Sequence, residues 1–215
     1  MTGENAMPRP VGAVLHSAVL YDAIVWFALR GRERELRRRL LGLSGLRAGE
    51  SVLDVGCGTG TLAILAKETV GGSGLVCGVD ASAEMLARAR SKAARAGVEV
   101  RFENSAAQAL PFADASFDLA LGTMMLHHLG GAARRELATE LRRVLKSGGR
   151  VLLADFARPQ AKRRGFGGHF RHRHGHVDPA EIVALLGDAG FHLIESGAVG
   201  IKNLHFALAV SPRQP

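Results

Sequence analysis

The sequence predicts an α/β domain, a mainly parallel sheet covered by helices on both faces. Three observations carry that expectation. Short apolar runs alternate with amphipathic stretches along most of the chain. A glycine cluster, "GCGTG", lies between the first apolar run and the helical stretch that follows it. The last two apolar runs have no helix between them. Alternation with short connections makes neighbouring strands parallel and joins them by covering helices. Two consecutive strands without a crossover form an antiparallel hairpin, here expected at one edge.

Taken in order, the first twelve residues read as a tail, and a helical pattern runs from about His16 to Leu43, ending in "RGRERELRRRLLGL". Gly42, Gly45 and Gly49 punctuate its exit. "SVLDVG" is a buried strand and "TLAILAKETV" a helix that begins at the glycines. "GLVCGVD" is a second strand ending at Asp80. "SAEMLARARSKAARAG" is an amphipathic helix capped by Ser82, with Glu84 in its first turn. "VEVRFEN" and "FDLALGTM" are the third and fourth strands. The helix "AARRELATELRRVLKSGG" is expected to stop at Gly148 and Gly149, and "RVLLADF" is the fifth strand. An irregular basic segment, "ARPQAKRRGFGGHFRHRHGHVD", separates it from "PAEIVALLGDAG", a helix with proline in its first turn. "FHLIESGAVGIKNLHFALAVS" supplies the closing hairpin. Residues 1–47 form a tail and helical cap, and residues 48–215 a single domain.

The 215 residues suffice for one substantial core, and 47% hydrophobic with 22% charged residues is an ordinary globular balance. A net charge of +8 suits an anionic partner. Arginine far outnumbers lysine and alanine is abundant, however, which GC-rich coding alone produces, so the charge is discounted. Only Cys57 and Cys77 are present, both in elements expected to be buried. A reduced, cytoplasmic protein is the expectation. The start "MTGENAMPRPVGA" lacks the order of a signal peptide. The apolar stretch Ala18–Leu29 contains Asp22 and is too short to span a bilayer.

A glycine cluster between strand and helix lets backbone N–H groups and the helix dipole approach a ligand closely. Alone it equally describes a tight turn. Asp80 ends the next strand about 20 residues later, where a carboxylate can accept both ribose hydroxyl hydrogens. Asp54 precedes the first glycine on the strand that carries the loop. A buried carboxylate there would repel a pyrophosphate, but suits a phosphate-free cofactor with an ammonium group, of which S-adenosylmethionine is the example. Asp54 could equally cap the amides of its own loop, and the two roles can coexist.

"VLDVGCGTG", "VCGVDAS", "ALPFADASFDLAL", "MMLHHL" and "LRRVLKSGGRVLLADF" occur in this order. Together they resemble the class I S-adenosylmethionine-dependent methyltransferases, in the group that holds the ubiquinone/menaquinone C-methyltransferases (type 11). The resemblance is close over Ala48–Phe156 and implies a Rossmann-like, seven-stranded sheet with an antiparallel C-terminal hairpin. It also implies S-adenosylmethionine as cofactor and S-adenosylhomocysteine as product. By that resemblance Gly56, Cys57, Gly58 and Gly60 line the methionine part, Asp54 holds the ammonium and Asp80 the ribose. Ala81 or Ser82 flanks the adenine, and Leu126 closes the pocket beneath the sulfonium. Family members carry an acidic residue where this chain has Ala106. Asn104, Ser105 or Gln108 is the available substitute for its contact with the adenine amino group.

Methyl transfer from a sulfonium needs alignment and exclusion of water above all, and proximity with orientation contributes about 7–11 kcal/mol. No catalytic triad is obligatory. His127 and His128 follow the fourth strand at the sheet edge where ligands bind, and a neutral imidazole there can take a proton from a phenol or enol. Packing and capping within "LHHL" is the alternative. In "HFRHRHGH", His172 and His174 are candidates for a substrate lid. A solvated loop is the plainer reading, and the spacing matches no zinc module, so no metal is assigned. Tyr21 in the N-terminal helix covers an acceptor or packs on the body. The apolar run followed by arginines could rest on an anionic membrane surface.

The expected acceptor is a small hydrophobic or aromatic molecule: quinone-, phenol- or lipid-like. Nucleic acid is disfavoured, because "GTMMLHH" stands where base methyltransferases carry an Asn/Asp-Pro-Pro-Tyr-like segment and no stacking array is evident. A non-catalytic S-adenosylmethionine-binding protein is the remaining alternative, prompted by Ala106. The oligomeric state is left open.

Overall fold

The computed structural model describes residues 32–157, 176–201 and 203–213. Tyr21, His172 and His174, with the first half of the N-terminal helical pattern, lie outside the described residues. Among the described residues five helices surround seven strands: α1 (Glu33–Ser44), β1 (Ser51–Val55), α2 (Thr61–Val70), β2 (Leu75–Asp80), α3 (Ala83–Ala96), β3 (Arg101–Asn104), β4 (Phe117–Thr123), α4 (Gly131–Val144), β5 (Leu145–Phe156), α5 (Pro179–Asp188), β6 (His192–Ala198) and β7 (Leu204–Val210). A short 3₁₀ turn, Leu126–His128, links β4 to α4.

The strands lie in the order β3-β2-β1-β4-β5-β7-β6. The first five are parallel. β7 inserts antiparallel between β5 and β6, so the closing hairpin sits at the edge with β6 outermost. Side chains alternate between faces as the strand period requires. Val52, Leu119, Leu121 and Leu152 pack with Leu36, Leu62 and Leu86 from α1, α2 and α3. Leu53, Ala120, Val151 and Leu153 pack with Leu137 and Ile182 from α4 and α5. Fully burying each such leucine contributes roughly 1.5–3 kcal/mol.

Local signals start and stop the helices. The Ser82 hydroxyl caps α3 by accepting from the Met85 amide at 3.3 Å, and the Asp178 carboxylate caps α5 through Ala180 at 2.9 Å. α1 runs past Gly42 and ends at Gly45 in the left-handed conformation (φ 64°), close to the expected Leu43. One boundary differs from expectation. α4 ends at Val144, not at the glycines. β5 begins at once because Leu145 pairs with Phe117, and the ladder resumes at Leu119–Arg150. Gly148 (φ 76°) and Gly149 fold the extra residues into a bulge. A Cβ on Gly149 would stand 2.9 Å from the Lys146 carbonyl oxygen.

The carboxyl ends of β1, β2, β4 and β5 open on one edge, bringing Asp54, Asp80, Thr123 and Asp155 to the mouth of the sheet.

Candidate active site

After β1 the chain turns through Gly56 (φ 67°), Gly58 (φ 53°) and Gly60 (φ 78°), all in the region that side chains rarely adopt. The Gly56 and Cys57 amides both donate to the Val79 carbonyl, at 2.8 and 3.0 Å, which ties the loop to the end of β2. What comes so close to these glycines is the protein itself. A Cβ on Gly56 would stand 2.8 Å from the Met125 Cβ, and one on Gly60 would stand 2.9 Å from the Ala89 Cβ. Gly60 therefore serves the packing of α2 on α3, while Gly56 and Cys57 line a cavity at the mouth of the sheet.

The Asp80 carboxylate divides its oxygens between two amides, accepting from Gly58 at 2.9 Å on Oδ2 and from Ser82 at 2.9 Å on Oδ1. Capping of the glycine loop, weighed for Asp54 in the sequence, is thus performed at Gly58 by Asp80. Each oxygen retains lone-pair capacity for a ligand hydroxyl. Burial pushes the Asp80 pKa up, and the two amides pull it back. Ala81 beside it is exposed.

Asp54 is the less comfortable neighbour. It is 1% exposed, and burial is the main cause that pushes its pKa up to about 7, with Arg37 opposing and Asp80 reinforcing. It accepts a bond from the Ala63 amide in the first turn of α2, so it also does part of the capping expected of it. Its Oδ2 is buried without a hydrogen-bond partner. Arg37 projects from α1 into the same cavity, which Glu33, Thr59 and Thr123 also line. Its Nη1 donates to Thr123 Oγ1 at 2.7 Å.

Ala106 carries no side-chain hydrogen-bonding group. Asn104 Nδ2 donates to the Asp80 carbonyl at 2.9 Å, and the Ser105 hydroxyl donates to the Ala109 carbonyl at 2.6 Å. Both thus brace the loop. Glu140 accepts from the Leu110 amide at 2.8 Å and Arg143 donates to the Leu110 and Phe112 carbonyls, so α4 holds the "LPF" turn in place.

Beyond β4, Leu126 is fully buried. His127 Nδ1 lies 2.8 Å from Asp155 Oδ1, and the His127 amide donates to Asp155 Oδ2 at 3.0 Å. Asp155 is fully buried and also accepts from the Phe156 amide at 2.7 Å. With the Nδ1 proton donated to Asp155 Oδ1, Nε2 is left as an acceptor. The His128 ring centroid lies 4.0 Å from that of His127. Burial first, and its neighbour second, lower the His128 pKa, so His128 is uncharged at neutral pH.

Burial likewise drives the Cys57 thiol pKa well up, and both cysteines are free. Neither is a thiolate at neutral pH, which removes them as nucleophiles. Among the described residues no group of three His, Cys, Asp or Glu side chains could hold a metal ion.

Sequence reasoning missed three residues here. Arg37 shares a stripe with Leu40, Leu41 and Ser44, a helical spacing that marks it as inward-facing. Asp155 interrupts the apolar run "VLLADF" near the end of β5, at the edge where ligands bind in such sheets. Thr123 ends β4 in the same position.

The family model described as a methyltransferase domain matches residues 52–149, the stretch that carries the glycine loop, Asp80 and His127. Over that stretch the match agrees with the resemblance to the class I S-adenosylmethionine-dependent methyltransferases. The chain is similar to a ubiquinone/menaquinone biosynthesis C-methyltransferase of Marinomonas sp. (strain MWYL1), 34% identical over 157 residues, covering 72% of this chain and 62% of that protein. The protein of the same description from Bdellovibrio bacteriovorus is 39% identical over 120 residues, covering 56% of this chain and 50% of its own length. The chain thus spans less than two thirds of these relatives. A SAM-dependent methyltransferase from Aquifex aeolicus shares the fold, with a TM-score of 0.70 at 24% identity over 88% of this chain and 97% of the other. S-adenosylmethionine is the cofactor that the match to a methyltransferase domain implies.

The residues present fit that cofactor. A buried carboxylate with an unpartnered oxygen, Asp54, awaits a donor such as an ammonium. Asp80, held by two amides at the next strand end, keeps lone pairs for a diol.

Proposed function

We propose that this protein transfers a methyl group from S-adenosylmethionine to a small, hydrophobic or aromatic acceptor of the quinone or phenol kind. The observation that carries the reading is the pair of carboxylates at the mouth of the sheet: Asp80 oriented by Gly58 and Ser82, and Asp54 with an unpartnered oxygen. When bound, the cofactor supplies an electrophilic methyl on a sulfonium. Asp54 holds its ammonium, Asp80 its ribose hydroxyls, and the Gly56–Gly60 loop shapes the wall beside it. Asn104 Oδ1, beside the anchored Nδ2, is the acceptor left to the adenine amino group where Ala106 offers none.

His127 is the proton acceptor in this reading. Its Nε2 takes the hydroxyl proton of a phenol or hydroquinone, and the resulting phenolate has its electron density on oxygen and on the ring carbons beside it. That oxygen or carbon would be the nucleophile presented to the methyl that the bound cofactor would supply, and methylation at carbon would be completed by loss of the proton on that carbon. Asp155 orients the imidazole and stabilises the imidazolium that forms, as the carboxylate of a histidine–aspartate pair does. The relatives described as ubiquinone/menaquinone C-methyltransferases favour a quinol among such acceptors.

Incubation with methyl-labelled donor and a panel of hydroquinones, phenols and catechols tests the proposal by product mass. Methylated hydroquinone or phenol supports it. Methylation confined to RNA, or S-adenosylhomocysteine binding without any methylated acceptor, contradicts it.

No helix among the described residues is long and apolar enough to cross a membrane. A peripheral contact through the N-terminal basic segment would bring the site to a lipid-dissolved quinone. Flotation with anionic liposomes supports that contact if the protein rises with them, and refutes it if the protein stays below.

A further inference from the structure

The cavity beside Asp54 also holds a cation that the reaction itself does not use. Arg37 is 7% exposed, and burying a guanidinium is costly unless its donors are satisfied. Nη1 has a close bond to Thr123 Oγ1, at 2.7 Å. Nε is buried without a hydrogen-bond partner, and its nearest opposite charge, Glu33 Oε1, stands at 3.6 Å, beyond bonding distance. Across the same cavity Asp54 Oδ2 is also without a partner. A buried N–H and a buried carboxylate oxygen, opposite in charge and both unsatisfied, line one small space. Two such groups are each expensive alone, and neither is explained by the packing around it.

A ligand that answers both must carry a carboxylate and an ammonium on one short skeleton: an α-amino-acid head. We infer that Arg37 and Asp54 together form a clamp for the amino-acid end of the cofactor, with Arg37 binding its carboxylate and Asp54 its ammonium. This rests on the methyltransferase reading above and adds to it a residue of α1, outside the matched residues 52–149. Thr123 fixes the guanidinium at the end of β4, and Glu33, one turn earlier on α1, is the neighbour the incoming carboxylate displaces. The N-terminal helix thereby becomes part of the cofactor site.

Calorimetric titration of the full chain with three nucleosides tests the clamp. S-adenosylhomocysteine carries both charges. 5′-(3-aminopropylthio)-5′-deoxyadenosine lacks only the carboxylate, and 5′-methylthioadenosine lacks the whole amino-acid head. For the unaltered protein, loss of the carboxylate is expected to weaken binding at least tenfold. Arg37→Met should erase that difference, lowering affinity for S-adenosylhomocysteine at least tenfold while leaving methylthioadenosine within twofold. Arg37→Lys, which keeps the charge but not the fork, should fall between them. Equal binding of the first two nucleosides by the unaltered protein overturns the clamp without needing any variant to fold. So does an Arg37→Met protein that weakens all three alike or none. If the unaltered protein binds no nucleoside at all, the methyltransferase reading falls first and the clamp with it.

Discussion

Asp54 and Asp155 are both buried carboxylates near the ends of the parallel strands β1 and β5, which flank β4, and they are built in opposite ways. Asp155 is surrounded by donors: the Phe156 amide, the His127 amide and the His127 ring. Asp54 has the Ala63 amide and an oxygen with none. A satisfied buried carboxylate is finished structure, and what it does is fix its partners. An unsatisfied one costs stability that a ligand can return. On the proposed reading the β5 side of the mouth positions a base, and the β1 side receives a cofactor.

That contrast can be broken most forcefully at His127. Replacing it with glutamine should lower turnover roughly 10²- to 10⁴-fold, the range for loss of a general base, while S-adenosylhomocysteine affinity by calorimetry stays unchanged. Asp155→Ala strips a partner from two His127 donors and the Phe156 amide. Urea denaturation should show a loss of about 3–5 kcal/mol, the range for breaking a buried pair. Unchanged stability would mean that Asp155 is not the anchor described here.

The pH dependence sharpens the other side. Asp54 releases its proton near 7 in the fold and near 3.9 in an unfolded chain. Between those values the native state holds the proton and the unfolded state does not, so stability falls as pH rises through that window. The contribution is on the order of 4 kcal/mol. It is fully present below the ordinary aspartate range and gone above about pH 7, and Asp54→Asn should flatten it in pH-dependent urea melts. Cofactor binding runs the other way, because only the ionised carboxylate holds an ammonium. Affinity should rise about tenfold per pH unit up to the region of 7 and then level. Burial sets that raised midpoint, with Arg37 on α1 lowering it and Asp80 on β2 raising it further.

The smallest effect concerns the turn. Gly56→Ala places a Cβ 2.8 Å from the Met125 Cβ at φ 67°, so a cost of about 1–3 kcal/mol should appear in the melting curve.

Much of this was legible in the residues. The alternation of strands and helices, the Ser82 cap, the proline-started α5 and the closing hairpin follow from local patterns, and the structure keeps each. The start of β5 was not, because Leu145 is drawn into the sheet by Phe117, a pairing across the whole β4–α4 crossover that overrides the stop signal of Gly148 and Gly149. The site divides the same way. Asp54, Asp80 and the glycine turn stand together in the sequence pattern and in the structure. His127 could be named from its place after β4, but its partner lies 28 residues away. Arg37 was hidden among other arginines, although its helical spacing to Leu40 and Leu41 put it on the buried face.

The most direct test sets the two carboxylates side by side: S-adenosylhomocysteine titrated into Asp54→Asn and Asp155→Asn at pH 8, where Asp54 is ionised in the unaltered protein. Removing a hydrogen bond to a charged group costs about 1.5–3 kcal/mol. Asp54→Asn should therefore lose roughly 10- to 100-fold in affinity, and Asp155→Asn should stay within about threefold while losing turnover. Full affinity in Asp54→Asn, with the loss falling on Asp155→Asn, would contradict the division of labour at the mouth of the sheet.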